Sequence, residues 1–157
     1  HRSANYIGCE FTNSGRKASR LLATICDDIS FADHHIDFYN FDTYPENADN
    51  SIVFTVHSIE QVSETPDGLV ETICKKFPNS KIINFEPIGW QIAKYHNKSS
   101  NFSSRAYAEK HGYNTDFFDQ LKAAETKKKV KIDKALIDEI CVNTSNGTSI
   151  VVWSPVN

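Results

Sequence analysis

His57, Ser58, Glu60 and Gln61 fall within five positions directly after the apolar run Ser51-Ile-Val-Phe-Thr-Val56. An imidazole changes charge near neutral pH, so His57 suits a general base, and Glu60 adds a carboxylate to the same rim. The bland alternative is a histidine that only satisfies neighbouring groups. Glu10 closes a second short apolar segment. A carboxylate there accepts two hydrogen bonds, which suits the vicinal hydroxyls of a ribose; equally, it could pair with Arg16 or Lys17 one helical turn on. Asp42 could accept from an adenine amino group with Phe41 stacking on the base, or it could simply form an Asx turn before Thr43. Glu86 ends a third segment, and with Lys81 and Trp90 it is a candidate for shaping an acceptor pocket. His34-His35, with Asp33 and Asp37 nearby, invites a metal site. Neighbours on a strand point to opposite faces, however, so no metal is expected.

The elements that must carry these residues follow from periodicity. Asn5–Glu10 reads as a strand. Ala18, Leu21, Leu22 and Ile25 share one helical face, with Arg16, Lys17 and Arg20 on the other. Ile36–Phe41 alternates as a half-exposed strand, and Ser51–Val56 suits a central strand buried on both faces. Thr65-Pro66 predicts a helix start, followed by the stripe Leu69, Val70, Ile73, Cys74 and Phe77. Lys81–Phe85 is the next strand. A polar loop over 94–104 and helices over 105–110 and 115–126 follow. Leu136–Thr144 and Thr148–Ser154 flank Asn146-Gly147, a strong hairpin signal.

This order implies an α/β fold, a mostly parallel sheet with a C-terminal antiparallel hairpin. Open sheets of this kind bind ligands at the carboxyl ends of their strands, where Glu10, Phe41, Asp42, His57, Ser58 and Glu86 are expected.

The 157 residues are 39% hydrophobic and 24% charged, an ordinary mixture for one domain over 1–157. The net charge of -3 argues against a general nucleic-acid binder. Lys127, Lys128, Lys129, Lys131 and Lys134 form one basic cluster, read as a solvated helix end or loop. No apolar run approaches the roughly 20 residues of a membrane span, and the start lacks a signal-like apolar stretch. Cys9, Cys26, Cys74 and Cys141 form no CxxC pair and are expected as small buried thiols in a reducing, cytoplasmic setting. GxGxxG, GxxxxGK[ST], GxSxG and HExxH are all absent.

Three segments together, Val53-Phe-Thr-Val-His-Ser-Ile-Glu-Gln-Val62, Ile82-Ile-Asn-Phe-Glu-Pro87 and Asn146-Gly-Thr-Ser-Ile-Val-Val-Trp-Ser-Pro155, resemble the later half of a class I S-adenosylmethionine-dependent methyltransferase. Within that superfamily the chain is most similar to sugar O-methyltransferases. Gly8-Cys-Glu-Phe-Thr-Asn-Ser-Gly-Arg-Lys17 resembles the second strand and following helix of the same Rossmann-like fold. The resemblance implies that Glu10 holds the cofactor ribose and that Phe41 and Asp42 contact adenine. It places His57 and Ser58 near the methionine moiety, with His57 or Glu60 as base and Gln61 and Glu86 toward the acceptor. The cofactor would be S-adenosylmethionine and the acceptor a hydroxyl of a sugar or similar small molecule. The family's first strand and glycine-rich loop would precede residue 1, so the expected fold is an incomplete one, its loop supplied by a preceding segment or an oligomeric partner. Two alternatives stay open: a non-catalytic α/β regulatory or scaffolding fragment, and half of a glycosyltransferase that binds a nucleotide sugar.

Overall fold

The computed structural model describes residues 4–26, 29–46, 48–141 and 146–156, which form two compact units, 1–46 and 47–157. In the first, β1 (Asn5–Glu10) and β2 (Ser30–His35) pair in parallel, Asn5 opposite Ser30 through to Glu10 opposite His35. Helix α1 (Asn13–Ala23) makes the crossover. Thr12 caps it: its hydroxyl accepts from the amide of Gly15 at 3.0 Å. The basic side of α1 faces β2, where Asp33 pairs with Arg20 at 2.6 Å and Arg16 at 3.6 Å. The expected apolar stripe is real, but it is not buried: Leu21, Leu22 and Ile25 are exposed.

The second strand lies earlier than its alternation suggested. It ends at His35, and Ile36–Phe41 is not a strand. Local side-chain bonds win there. Asp37 accepts from the amide of Tyr39 at 2.9 Å and Asn40 from that of Asp42 at 3.2 Å. These Asx bonds fold the segment into turns that lead to a 3-10 turn at Phe41–Thr43.

The second unit is a four-stranded sheet in the order β3-β4-β6-β5. Strands β3 (Ile52–Val56) and β4 (Lys81–Glu86) are parallel, joined through helix α2 (Leu69–Lys76). Helices α3 (Gly89–His96), α4 (Arg105–His111) and α5 (Phe117–Thr126) lead to the antiparallel pair β5 (Val130–Ile140) and β6 (Thr148–Pro155). The hairpin signal found its two strands, although β6 inserts beside β4 and β5 takes the edge. Its turn residues 142–145 lie outside the described residues. Ile82, Ile92, Phe117, Phe118, Leu121, Val151 and Trp153 make the core.

Three further expectations change. Strand β3 is an edge strand rather than a central one, and Ile52, Phe54 and Val56 are 71%, 63% and 56% exposed. A β-branched and aromatic run fits any pleated surface and does not specify which position in a sheet it takes. Thr65 does not cap a helix. Its amide and hydroxyl both donate to Asp116, at 2.9 and 2.8 Å, and α2 begins after Gly68, whose φ of 81° is the left-handed conformation glycine adopts freely. The four cysteines are free, but Cys9, Cys26 and Cys141 are exposed rather than buried. Of the lysine cluster, Lys129 pairs with Glu71 at 2.8 Å, and Lys131 lies on edge strand β5, paired with Asp133 at 3.0 Å. No helix among the described residues is long and apolar enough to cross a membrane.

A polar line crosses this sheet inside the core. Trp153 Nε1 donates to Asn84 Oδ1 at 2.8 Å, and Asn84 Nδ2 donates to Thr55 Oγ1 at 3.0 Å. Asn84→Ala strips a buried indole N–H of its acceptor, which costs about 1–3 kcal/mol. Urea denaturation should show the midpoint falling with an unchanged slope; an unshifted midpoint would mean that the bond contributes nothing net.

Candidate functional site

The parallel strands β3 and β4 finish at one edge of the sheet, and antiparallel β6 starts there. That topology gathers His57, Ser58, Glu60, Gln61, Glu86 and Thr148 within the second unit.

His57 follows β3 directly. Its amide donates to Phe85 O at 2.9 Å, extending the β3–β4 ladder by one residue. Its φ is 48°, a left-handed backbone for a residue with a full side chain. Such a conformation costs on the order of 1–2 kcal/mol and persists only where the surroundings impose it. Here the cause is the turn that follows, at Ile59–Gln61. Fully buried at the end of β4, Glu86 accepts on Oε1 from the amides of Ser58 (3.2 Å) and Ile59 (3.3 Å) and from the Thr55 hydroxyl (2.6 Å), and on Oε2 from the amide of Glu60 (3.2 Å). One carboxylate thus satisfies three consecutive amides that would otherwise be orphaned. Both of its oxygens are engaged in this way, so Glu86 stands as the holder of the turn. Lys81 sits at the other end of β4, about 16 Å away at the usual strand rise, and pairs with Asp133 at 2.5 Å. The two do not share a pocket.

The turn aims two side chains at each other. Glu60 is 3% exposed, and its Oε1 lies 3.1 Å from His57 Nδ1. The same oxygen accepts from Gln61 Nε2 at 3.0 Å. Glu60 Oε2 is buried without a hydrogen-bond partner among the described residues. On the far side of the ring, His57 Nε2 lies 2.7 Å from Thr148 Oγ1. Asn114 anchors the turn from behind: its amide donates to Glu60 O at 2.9 Å, and its side chain donates to Val62 O at 3.0 Å. Thr148, Asn84, Thr55 and Asn114 had not been singled out. Only Asn84 left a trace in the sequence, as a polar residue inside an apolar strand.

Glu10, Phe41 and Asp42 belong to the first unit. Glu10 is the last residue of β1, and its Oε1 accepts from the amide and hydroxyl of Thr12 at 2.7 and 2.8 Å. The Thr12 amide, and after it the hydroxyl, hold the Glu10 carboxyl below its ordinary range. Arg16 and Arg20 of α1 pair with Asp33 instead. Phe41 and Asp42 lie in the 3-10 turn beyond β2 rather than at its end, and the Phe41 ring meets Tyr44 edge-on at 5.8 Å. His34 Nε2 donates to Thr43 O at 2.7 Å, and no group of three or more metal-ligating side chains occurs among the described residues.

Burial, the largest influence, raises the Glu86 carboxyl above its ordinary value, and its hydrogen-bond donors pull the other way. A folded-state value above the unfolded one means that the folded protein keeps this proton longer. The stability so contributed is complete below the ordinary value, about 4.3, and is lost as pH rises through the raised one. Glu86→Gln cannot titrate. Urea melts from about pH 4 upward should show wild type losing stability relative to this variant as pH climbs. Parallel profiles would place the titration elsewhere.

Neither a protein-family model nor a curated protein sequence matches the chain. Among solved structures, an SAH-bound methyltransferase from Podospora anserina is similar, with a TM-score of 0.53 at 13% identity. The match covers 98% of this chain and 62% of that one, so the chain spans less than two thirds of its neighbour's length. At this identity the likeness concerns the fold: the chain has a mixed α/β, methyltransferase-like fold.

Proposed function

We propose that this chain belongs to a methyltransferase that uses S-adenosylmethionine and acts on a hydroxyl of a sugar or similar small acceptor. The observation that carries the proposal is the His57–Glu60 pair, 3.1 Å apart at the strand ends of a methyltransferase-like fold.

The donor chemistry fits the cofactor. Glu10 stands at the carboxyl end of β1 with its carboxyl held below the ordinary range, an ionised acceptor suited to ribose hydroxyls. Phe41 offers a ring for the adenine face and Asp42 an exposed carboxylate for its amino group. When bound, S-adenosylmethionine supplies an electrophilic methyl group on a sulfonium. The remaining work falls to the protein. A sugar hydroxyl is a poor nucleophile, so a base must take its proton as it attacks. His57 does this at Nε2, where the acceptor hydroxyl takes the place of the Thr148 hydroxyl. Glu60 orients the ring through Nδ1 and stabilises the imidazolium that forms. Gln61, which bonds Glu60 and is itself exposed, reaches toward the acceptor. Because the turn is held by Glu86 before any ligand arrives, little reorganisation is needed on binding.

The test is transfer of a tritiated methyl group from S-adenosylmethionine to a panel of monosaccharides and small polyols. His57→Ala should lower kcat by about 10²–10⁴, the usual contribution of a general base, and Glu10→Ala should raise the KM for S-adenosylmethionine. Unchanged kinetics in both variants would overturn the site assignment.

A further inference from the structure

Thr148 is the first residue of β6 and lies almost wholly buried. Strand β6 runs antiparallel to β4, so it begins where β3 and β4 end, and Thr148 reaches His57 across the end of β4. Two contacts on one ring then decide a proton position. Glu60 Oε1, a carboxylate oxygen that only accepts, lies 3.1 Å from Nδ1. The proton of the neutral ring therefore sits on Nδ1, Nε2 carries the lone pair, and the Thr148 hydroxyl, 2.7 Å away, donates to it.

We propose that Thr148 is a positioning residue for His57: its hydroxyl donates to Nε2 and sets the direction of the ring in the Nδ1–H tautomer that Glu60 selects, holding the Nε2 lone pair until an acceptor hydroxyl displaces it. The last clause rests on the methyl-transfer reading; the tautomer does not. Thr148 is itself held in place. The neighbouring Ser149 is opposite Glu86 in the ladder, and its hydroxyl accepts from the amide of Asp138 at 3.0 Å. Asp138, at φ 52° in the irregular stretch of β5, accepts from Ser100 Oγ at 2.7 Å and from the amides of Asn101 and Phe102 at 3.1 and 3.2 Å. The start of β6 is thereby tied to the 97–104 loop, so the Thr148 hydroxyl has a defined direction. Valine has the same branched shape as threonine, so Thr148→Val removes the hydroxyl alone.

The experiment is long-range ¹H–¹⁵N correlation of the histidine rings in the full chain, with no cofactor or acceptor added. Wild-type His57 should appear, when neutral, as the Nδ1–H tautomer with a hydrogen-bonded Nε2. In Thr148→Val the Nε2 resonance should lose its hydrogen-bond shift while the proton stays on Nδ1 against Glu60; Thr148→Ser should restore the wild-type pattern. His34 and His111, whose ring nitrogens bond backbone carbonyls at 2.7 and 2.8 Å, report in the same spectra whether each variant is folded. A wild-type His57 in the Nε2–H form overturns the proposal on its own, without any variant. So does a folded Thr148→Val with an unchanged His57 pattern. Failure of methyl transfer would leave these spectra standing, so the two readings fail separately.

Discussion

The carboxylate of Glu86 is the interaction on which the rest of the second unit's site depends. A turn that leaves the end of a parallel strand has several amides with no ladder partner, and leaving buried ones unpaired costs about 1–3 kcal/mol each. Glu86 takes those of Ser58, Ile59 and Glu60 together. In doing so it fixes the left-handed backbone of His57 and the approach of Glu60 to the ring. The burial that makes these bonds strong also raises the Glu86 carboxyl. Structural strength and electrostatic cost therefore come from the same placement.

That carboxylate is in turn held by the sheet. Thr55 on β3 donates to it, Asn84 on β4 donates to Thr55, and Trp153 on β6 donates to Asn84. A continuous polar line thus runs through an otherwise apolar core, with each member satisfied by the next. Networks of this kind specify a single arrangement, because shifting one strand by a residue would break several buried bonds at once. From the helical side, Asn114 and Gln91 close the turn against the start of α5: Asn114 Oδ1 accepts from Phe117 N at 2.8 Å and Gln91 Oε1 from Phe118 N at 2.9 Å. The His57–Glu60 pair is thus gripped from both the sheet and the helices.

Periodicity made the alternation of strands and helices legible, and with it the strand ends. Glu10, His57 and Glu86 stand at the carboxyl ends of β1, β3 and β4 because a strand-to-helix alternation fixes where those ends fall. Phe41 and Asp42 were misplaced because Asp37 and Asn40 close side-chain bonds that compete with a strand, a contest the alternating pattern does not register. The start of α2 moved for a similar reason, through the left-handed Gly68. Helix α3 and the edge position of β3 left no local signal. The partner of His57 was the least legible feature: Thr148 is distant in sequence, and only the insertion of β6 beside β4 brings it to the ring. Pattern reading finds candidates one element at a time, whereas the site is made by contacts among three strands.

We propose that the chain binds S-adenosylmethionine through the end of β1 and moves a proton at the turn after β3. The most direct measurement is a calorimetric titration of the 157-residue chain with S-adenosylhomocysteine, repeated with a nucleoside diphosphate. The account predicts saturable one-to-one binding of S-adenosylhomocysteine, weakened by Glu10→Ala, and no heat from the nucleoside diphosphate. Absence of S-adenosylhomocysteine binding, or preference for the nucleoside diphosphate, would contradict it.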